Sequence, residues 1–593
     1  MDQPKAETKP LHPAQLSMIA VLVGVIGGFG AVAFRMLIAF VHNLFFLGKL
    51  SIYYEANYHA APSPWGPLII FVPVAGAAGV SFLITRFAPE AKGHGVPEVM
   101  EAIYYKRGII RPIVAVVKSL ASALSIGSGG SVGREGPMIQ IGSSFGSTLG
   151  QYIKMPAWQR ITLVSAGTGA GIAATFNTPI GGLLFAIEIM LHEVSVRTLV
   201  PVVLATATAT YIGQVFFGVN PAFLIPGFQT PFFELSDPVV LVCYFGLGMV
   251  TGVCSAMYIH AIYFMEDLFD RKVPGNYYLR HMTGMFLVGV LMYVSLVSMG
   301  HYYVEGVGYS TIQDILTGGL ASFWVMVLLF VLKLLATSIT LGSGASGGIF
   351  SPAFFLGATA GGAYGILLKT LFPSLSIDPA LFALAGMAGV VCGSTGAAVT
   401  ALIMVFEMTL DYSAILPLTV TVAASNGIRA LISKETIYTL KLARRGHFIP
   451  NALQTNFLYV RRAKYIMAAP PAILPASMPL ADFARLVTKA DAVSPYLVED
   501  KKQIVGMVSR DVALKAFDHP DDATIADFAQ RNFILVTEDT PFFEVVNWMR
   551  TEGAAAAVVI AQSQPYSMEN VLGIIAKEQI AAVMEQGVGF YQE

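Results

Sequence analysis

Long apolar runs separated by short polar breaks set the pattern of this chain. Residues 16–46 form a run long enough to cross a bilayer at a tilt, and residues 67–84 form a second. Further runs cover 199–217, 239–264, 282–299, 324–341, 352–371, 381–410 and 416–432. Between them lie apolar stretches broken by glycine and proline. One is Gly93-His94-Gly95-Val96-Pro97-Glu98, and another breaks at Phe176-Asn177-Thr178-Pro179 before residues 183–190. Several are too short or too interrupted to span alone. Broken helices at membrane depth need protein or a polar cavity to satisfy the freed backbone groups.

Two glycine runs repeat each other. Residues 127–137 read GSGGSVGREGP and residues 342–352 read GSGASGGIFSP, aligned without a gap at an offset of 215. The same offset carries Gly142, Gly146 and Gly150 onto Gly357, Gly361 and Gly365, and Lys118 onto Lys333. At an offset of 219, Glu188 falls on Glu407. A lysine and a glutamate keeping step with the glycines indicate a duplicated membrane unit. Matching breaks in two repeats point to a transport site near the bilayer midplane.

Composition agrees. Of 593 residues 55% are hydrophobic and 12% charged, and mean hydropathy is +0.66, whereas a soluble protein is about a quarter charged. A net charge of −1 says nothing about nucleic acid, and no basic run suggests a nucleic-acid partner. Cys243, Cys254 and Cys392 are far apart in apolar surroundings, which fits buried thiols rather than disulfides or metal ligands. The first fifteen residues are polar and show no signal-peptide cleavage pattern. Lys434, Lys441, Arg444, Arg445, Arg461, Arg462 and Lys464 follow the last run closely, which places this end in the cytoplasm. From about residue 466 the composition is that of a soluble domain with two similar units. The first has a helix at 479–488, strands at 496–498 and 504–508, and a helix at Asp511. The second has a helix at 542–551, strands at 556–560 and 571–575, and a last helix.

An anion entering an apolar medium loses hydration worth tens of kcal/mol on a Born estimate. Backbone N–H groups at helix N-termini can replace that water, with roughly half a positive charge from the macrodipole and no Cβ in the way at glycine. Pro97, Pro137 and Pro352 sit where a helix tolerates proline, in its first turn. Each glycine-to-proline junction is therefore a helix start able to face one anion. Close packing of helices is the plainer use of such glycines, but three junctions, two of them duplicated, favour the anion. Glu135 lies within one of them. An acid at membrane depth is functional by default, and among anion-seeking N–H groups its carboxylate takes the anion's own place. Protonation or rotation would vacate it, which makes Glu135 a gate. The alternative is a salt-bridged acid beside Arg134.

These residues resemble the CLC family of chloride channels and chloride/proton antiporters, over about residues 15–445. Gly133-Arg134-Glu135-Gly136-Pro137 resembles the family's gating-glutamate motif, Gly348-Ile349-Phe350-Ser351-Pro352 its second anion motif, and Tyr438 the tyrosine that binds the central chloride. The resemblance implies an all-α polytopic membrane fold of two inverted repeats with tilted and broken helices, followed by a small α/β pair of CBS domains. The domains would be an N-terminus at 1–15, a transport domain at 16–445 (repeats at about 16–220 and 238–445), a linker at 446–465, and CBS units at 466–520 and 521–593. It also implies a homodimer in lipid with one pore per subunit and both termini cytoplasmic, in an inner or plasma membrane. Chloride would be held by the amides of Ile349 and Phe350 and by Tyr438, with His94, Gly95, Gly133, Arg134 and Gly136 around the path.

The sequence departs from the family's pattern in two places. His94 stands where the family usually has serine in Gly-Ser-Gly-Ile-Pro. Its ring could donate to the anion in a pH-sensitive way, or turn aside and leave the site to backbone and Tyr438. Ile189 stands where antiporters commonly carry an internal proton-accepting glutamate; Glu188 beside it reads as a structural acid at the repeat interface. Ile189 cannot titrate, so passive conduction gated by Glu135 is the expectation. The alternative is a proton/chloride antiporter with another internal proton path. A membrane enzyme or receptor would need a catalytic constellation that the sequence does not show, so no enzymatic activity, required cofactor or metal is expected. In the CBS pair, Ser509 and Asp511 only approximate an adenine-nucleotide motif, and residues 576–579 lack it, so a structural or dimerising role is as well supported.

Overall fold

The computed structural model describes residues 9–191, 195–219, 222–223, 238–410, 412–447, 449, 461–469, 472–489, 495–501, 503–517, 523–561 and 570–581. These form two compact units, Met1–Ile449 and Pro450–Glu593. The expected linker lies mostly outside the described residues.

Two matched series of helices build the first unit. The first series is α1 (Pro13–Leu47), α2 (Val72–Phe87), α3 (Val96–Tyr104), α4 (Ile113–Gly127), α5 (Glu135–Tyr152), α6 (Ala157–Phe176), α7 (Pro179–Phe185) and α8 (Val196–Phe217). The second is α9 (Pro238–Lys272), α10 (Tyr277–Met299), α11 (Tyr309–Leu316), α12 (Phe323–Ser343), α13 (Phe350–Leu371), α14 (Pro379–Thr395), α15 (Ala398–Thr409) and α16 (Ile415–Ile432), with α17 (Thr439–Arg444) after it. They correspond element by element. Both α1 and α9 have 35 residues, and α3 and α11 both start from a left-handed glycine, Gly95 at φ 87° and Gly308 at φ 78°. Among the described residues, eight helices are long and apolar enough to cross a membrane, while four apolar helices, including α7 and α15, are shorter.

The run at residues 381–410, expected as one, is two helices. Gly396 at φ 80° ends α14 before α15 begins, as Asn177 at φ 62° ends α6 before Pro179 opens α7. Some glycines do serve packing. A Cβ on Gly142 of α5 would strike the Gly167 carbonyl of α6, and one on Gly357 of α13 would strike that of Gly386 on α14. These equivalent helix pairs pack backbone to backbone, as small residues allow in a membrane. Several of the basic residues after α16 are held in ion pairs. Lys441 and Arg445 reach Glu98 at 3.1 and 3.0 Å, Arg445 also reaches Glu101 at 2.8 Å, and Arg444 pairs with Asp267 at 2.9 Å.

The second unit repeats one small α/β pattern. Strands β1 (Ile473–Pro475), β2 (Tyr496–Asp500) and β3 (Gln503–Val508) form one sheet, and β4 (Phe533–Thr537), β5 (Ala556–Ile560) and β6 (Val571–Ala576) another. In each, the first pairing is parallel and the second antiparallel. Helices α18 (Leu480–Lys489) and α19 (Phe542–Thr551) connect the parallel strands. The first strand of each sheet was not anticipated from the sequence, and the segment at Asp511 is a 3-10 helix, Arg510–Phe517, rather than an α-helix. Leu497 and Met507 of one sheet share a core with Ala556, Val558 and Ile574 of the other.

Candidate anion-binding site

Four helix starts meet in the first unit: those of α3, α5, α11 and α13. The loops before α5 and α13 are joined where Gly133 N–H donates to Gly348 O at 2.7 Å and Gly348 N–H donates back at 2.6 Å. Gly93 bridges to the same region, donating to Ala345 O at 3.0 Å and accepting from Gly347 N–H at 3.3 Å. Gly136 packs against the His94 carbonyl and Gly348. The first turns of these helices carry N–H groups without intrahelical partners, which is what suits them to an anion. Gly133 is the exception. Counted among the anion-binding residues from the sequence, its amide is already committed to Gly348.

The duplicated lysines explain how the loops before α3 and α11 keep their shape. Lys118 Nζ donates to the carbonyls of Ala91 (3.0 Å) and Gly93 (2.7 Å), and Lys333 Nζ to those of Val304 (3.2 Å) and Gly306 (2.9 Å). Both lysines are fully buried. The loop at Gly306-Val307-Gly308 is thus the repeat partner of Gly93-His94-Gly95. The sequence reading missed it, although the offset of 213 between their glycines was available to find it.

Glu135 opens α5 and is fully buried. Its Oε1 accepts from the hydroxyls of Tyr309 and Ser351, both at 2.5 Å, and the Ser351 amide lies 3.4 Å from Oε2. The carboxylate therefore occupies the N-terminus of α13, as an anion would. Arg134 does not pair with it: its guanidinium lies 5.1 Å over the Tyr309 ring. That geometry departs from the salt-bridged alternative.

A second cluster holds polar atoms without partners. Tyr438 Oη and both ring nitrogens of His94 are buried and accept or donate no hydrogen bond within the described residues. Their rings lie 5.7 Å apart. Buried polar atoms are normally satisfied, and an anion would accept from a phenol and an imidazole N–H alike. Helix α9 anchors this cluster through two tyrosines that sequence reasoning missed. Tyr258 donates to the Ile349 carbonyl at 3.1 Å and Tyr263 to the Ile437 carbonyl at 2.6 Å. A cavity of about 740 Å³, lined by His94, Glu98, Tyr263, Lys441 and Arg445 among others, opens beside the cluster.

Glu188 and Glu407 take no part in either cluster. Glu188 accepts from the amides of Val399 (3.2 Å) and Thr400 (2.9 Å) at the start of α15, and from the Thr400 hydroxyl at 2.7 Å. Glu407 accepts from the amides of Ile180 (3.0 Å) and Gly181 (2.7 Å) at the start of α7. Each repeat's acid caps the other repeat's short helix. Ile189 is buried in the π turn over Ala186–Leu191. Ser509 and Asp511 stand at the end of β3 and in the 3-10 helix after it.

Residues 76–430 match the voltage gated chloride channel family. The chain belongs to that family. Residues 463–519 match the CBS domain. The H(+)/Cl(-) exchange transporter ClcA of Vibrio cholerae is 33% identical over 373 residues, covering 61% of this chain and 76% of that protein. The ClcA of Yersinia pestis is 31% identical over 437 residues, covering 73% and 88%. Among solved structures, a slow cyanobacterial Cl−/H+ antiporter is 26% identical with a TM-score of 0.62, and covers 73% of this chain and 98% of that one. The chain is thus a multi-pass membrane protein of a chloride-transporting family, with the fold expected from its repeats.

Proposed function

We propose that this protein exchanges chloride for protons across the membrane, with Glu135 as the shared gate. The observation that carries this reading is the Glu135 carboxylate at the N-terminus of α13, where it competes with an anion for the same donors. Protonation removes its charge, frees the site for chloride and loads a proton in one event. The similar proteins named H(+)/Cl(-) exchange transporters support coupling over the passive conduction that Ile189 suggested. Chloride would rest between Tyr438 and His94, facing the Ile349 and Phe350 amides. Ile189 carries no proton, so the inward leg of proton transfer would run through water in the cavity beside His94 and Glu98. Glu188 is unsuited to that role, because its carboxylate is engaged in capping α15.

A homodimer with one pathway per subunit and cytoplasmic termini accompanies this reading, on the family resemblance and on the basic residues after α16. The CBS pair would serve dimerisation or structure. Passive conduction is the second reading, carried by Ile189. Purified protein in sealed liposomes with a chloride gradient separates the two. Exchange predicts uphill proton movement at a fixed ratio to chloride under a potassium shunt. Chloride efflux that drives no protons would establish conduction and overturn exchange.

A further inference from the structure

The carboxylate of Glu135 is held by groups that the repeat symmetry does not supply. At the offset of 215, Glu135 corresponds to Phe350 and Ser351 to Gly136. At the 213 offset of the paired loops, Tyr309 corresponds to Val96. The three positions are apolar in the opposite repeat, where the same backbone frame forms without their oxygens. The hydroxyls of Tyr309 and Ser351 are therefore additions to the frame, and both converge on one oxygen of Glu135.

Tyr309 is also fixed on every side. It is the first residue of α11, following left-handed Gly308. Its ring lies edge-on to Phe223 at 5.4 Å and under the Arg134 guanidinium. The loop before it is held by Lys333. Its hydroxyl donates to Glu135 Oε1 and its oxygen lies 2.9 Å from Ser351 Oγ, which donates to the same carboxylate oxygen. Both hydroxyl oxygens, 2.5 Å from Oε1, are placed to donate to it when the carboxylate is charged.

We infer that Tyr309 and Ser351 are positioning residues that latch the ionised gate in the anion's place and so set the pH at which it opens. The inference rests on the reading of Glu135 as the gate. Two hydroxyls donating to the carboxylate favour its charged form, and both bonds must break when it leaves. Removing either weakens the latch. No proton is transferred to Tyr309 or Ser351; each keeps its own and changes only its acceptor.

The test is chloride flux through full-length protein in liposomes across a range of pH, comparing wild type with Tyr309→Phe and Ser351→Ala. Phenylalanine fills the same volume and removes only the hydroxyl. The pH of half-maximal flux should move up by about one unit in each variant, the size expected for a lost charge-assisted hydrogen bond. Flux at pH 7.5 should rise several-fold. Adding Tyr309→Phe to Glu135→Gln should leave the already flat pH curve flat. A midpoint that stays at the wild-type pH overturns the latch, whatever happens to the maximal rate. Should Tyr309→Phe not fold, Ser351→Ala decides, since it removes a bond to the same oxygen. If Glu135→Gln keeps a wild-type pH curve, the gate reading itself has failed. If Glu135→Gln flattens the curve but neither hydroxyl variant shifts it, only the latch has failed.

Discussion

Gly133 and Gly348 donate to each other's carbonyls, at 2.7 and 2.6 Å, although 215 residues separate them. They are the same position of the two repeats. An antiparallel bridge between equivalent residues places a local two-fold axis between them, which is the geometry of an inverted repeat. The helix starts of α5 and α13 are thereby tied back to back, and Glu135 of one reaches the other.

The lysine pair tests that symmetry. Lys118 and Lys333 each satisfy two carbonyls in the loop before a broken helix. Replacing either by methionine bares two buried acceptors, a loss of roughly 2–4 kcal/mol. Lys118→Met and Lys333→Met should lower the melting temperature in detergent by similar amounts. A wild-type melting temperature for one of them would show that its loop needs no such support.

Glu188 and Glu407 form the second exchange between repeats. Because Glu188 caps α15, Glu188→Gln should cost about 1 kcal/mol of stability and leave the ratio of protons to chloride unchanged. Glu407→Gln should behave alike through α7. If Glu188→Gln abolished proton movement with no change in melting, Glu188 would be a proton carrier and the water route proposed through the cavity beside His94 and Glu98 would not be the sole one.

Tyr438 offers a buried hydroxyl with no hydrogen-bond partner among the described residues. Tyr438→Phe should weaken chloride binding about tenfold, the effect of one hydrogen bond to a charged group, as read by titration calorimetry. Unchanged affinity would leave the anion to His94 and the backbone.

If Glu135 is the gate proposed above, its carboxylate fills the anion's place, so flux should rise as pH falls and protonation empties that place. Glu135→Gln should leave anion flux present and remove most of that dependence, with proton movement lost. Flux as steeply pH-dependent as wild type would rule out the gate.

Much of this arrangement could be read along the chain. Apolar runs, glycine breaks and first-turn prolines are local signals, and they located nearly every helix and three of the four helix starts around Glu135, missing that of α11. The duplication was visible because glycines, Lys118 and Glu188 recur at nearly constant offsets. The chain failed to reveal the break at Gly396, where a single left-handed glycine interrupts an otherwise continuous apolar run.

By itself the sequence determined that the chain spans a membrane, that it is built twice, and that one acid lies where helix starts favour anions. Each follows from hydrophobicity, backbone freedom or charge within a few residues. Only the tertiary structure decided what the marked residues touch. Lys118 turns to its own repeat's loop, Glu188 crosses to α15, and Tyr309 reaches Glu135 from 174 residues away. No local preference encodes those partners. They arise when packing closes the two repeats around their axis and each buried polar group must find a partner there.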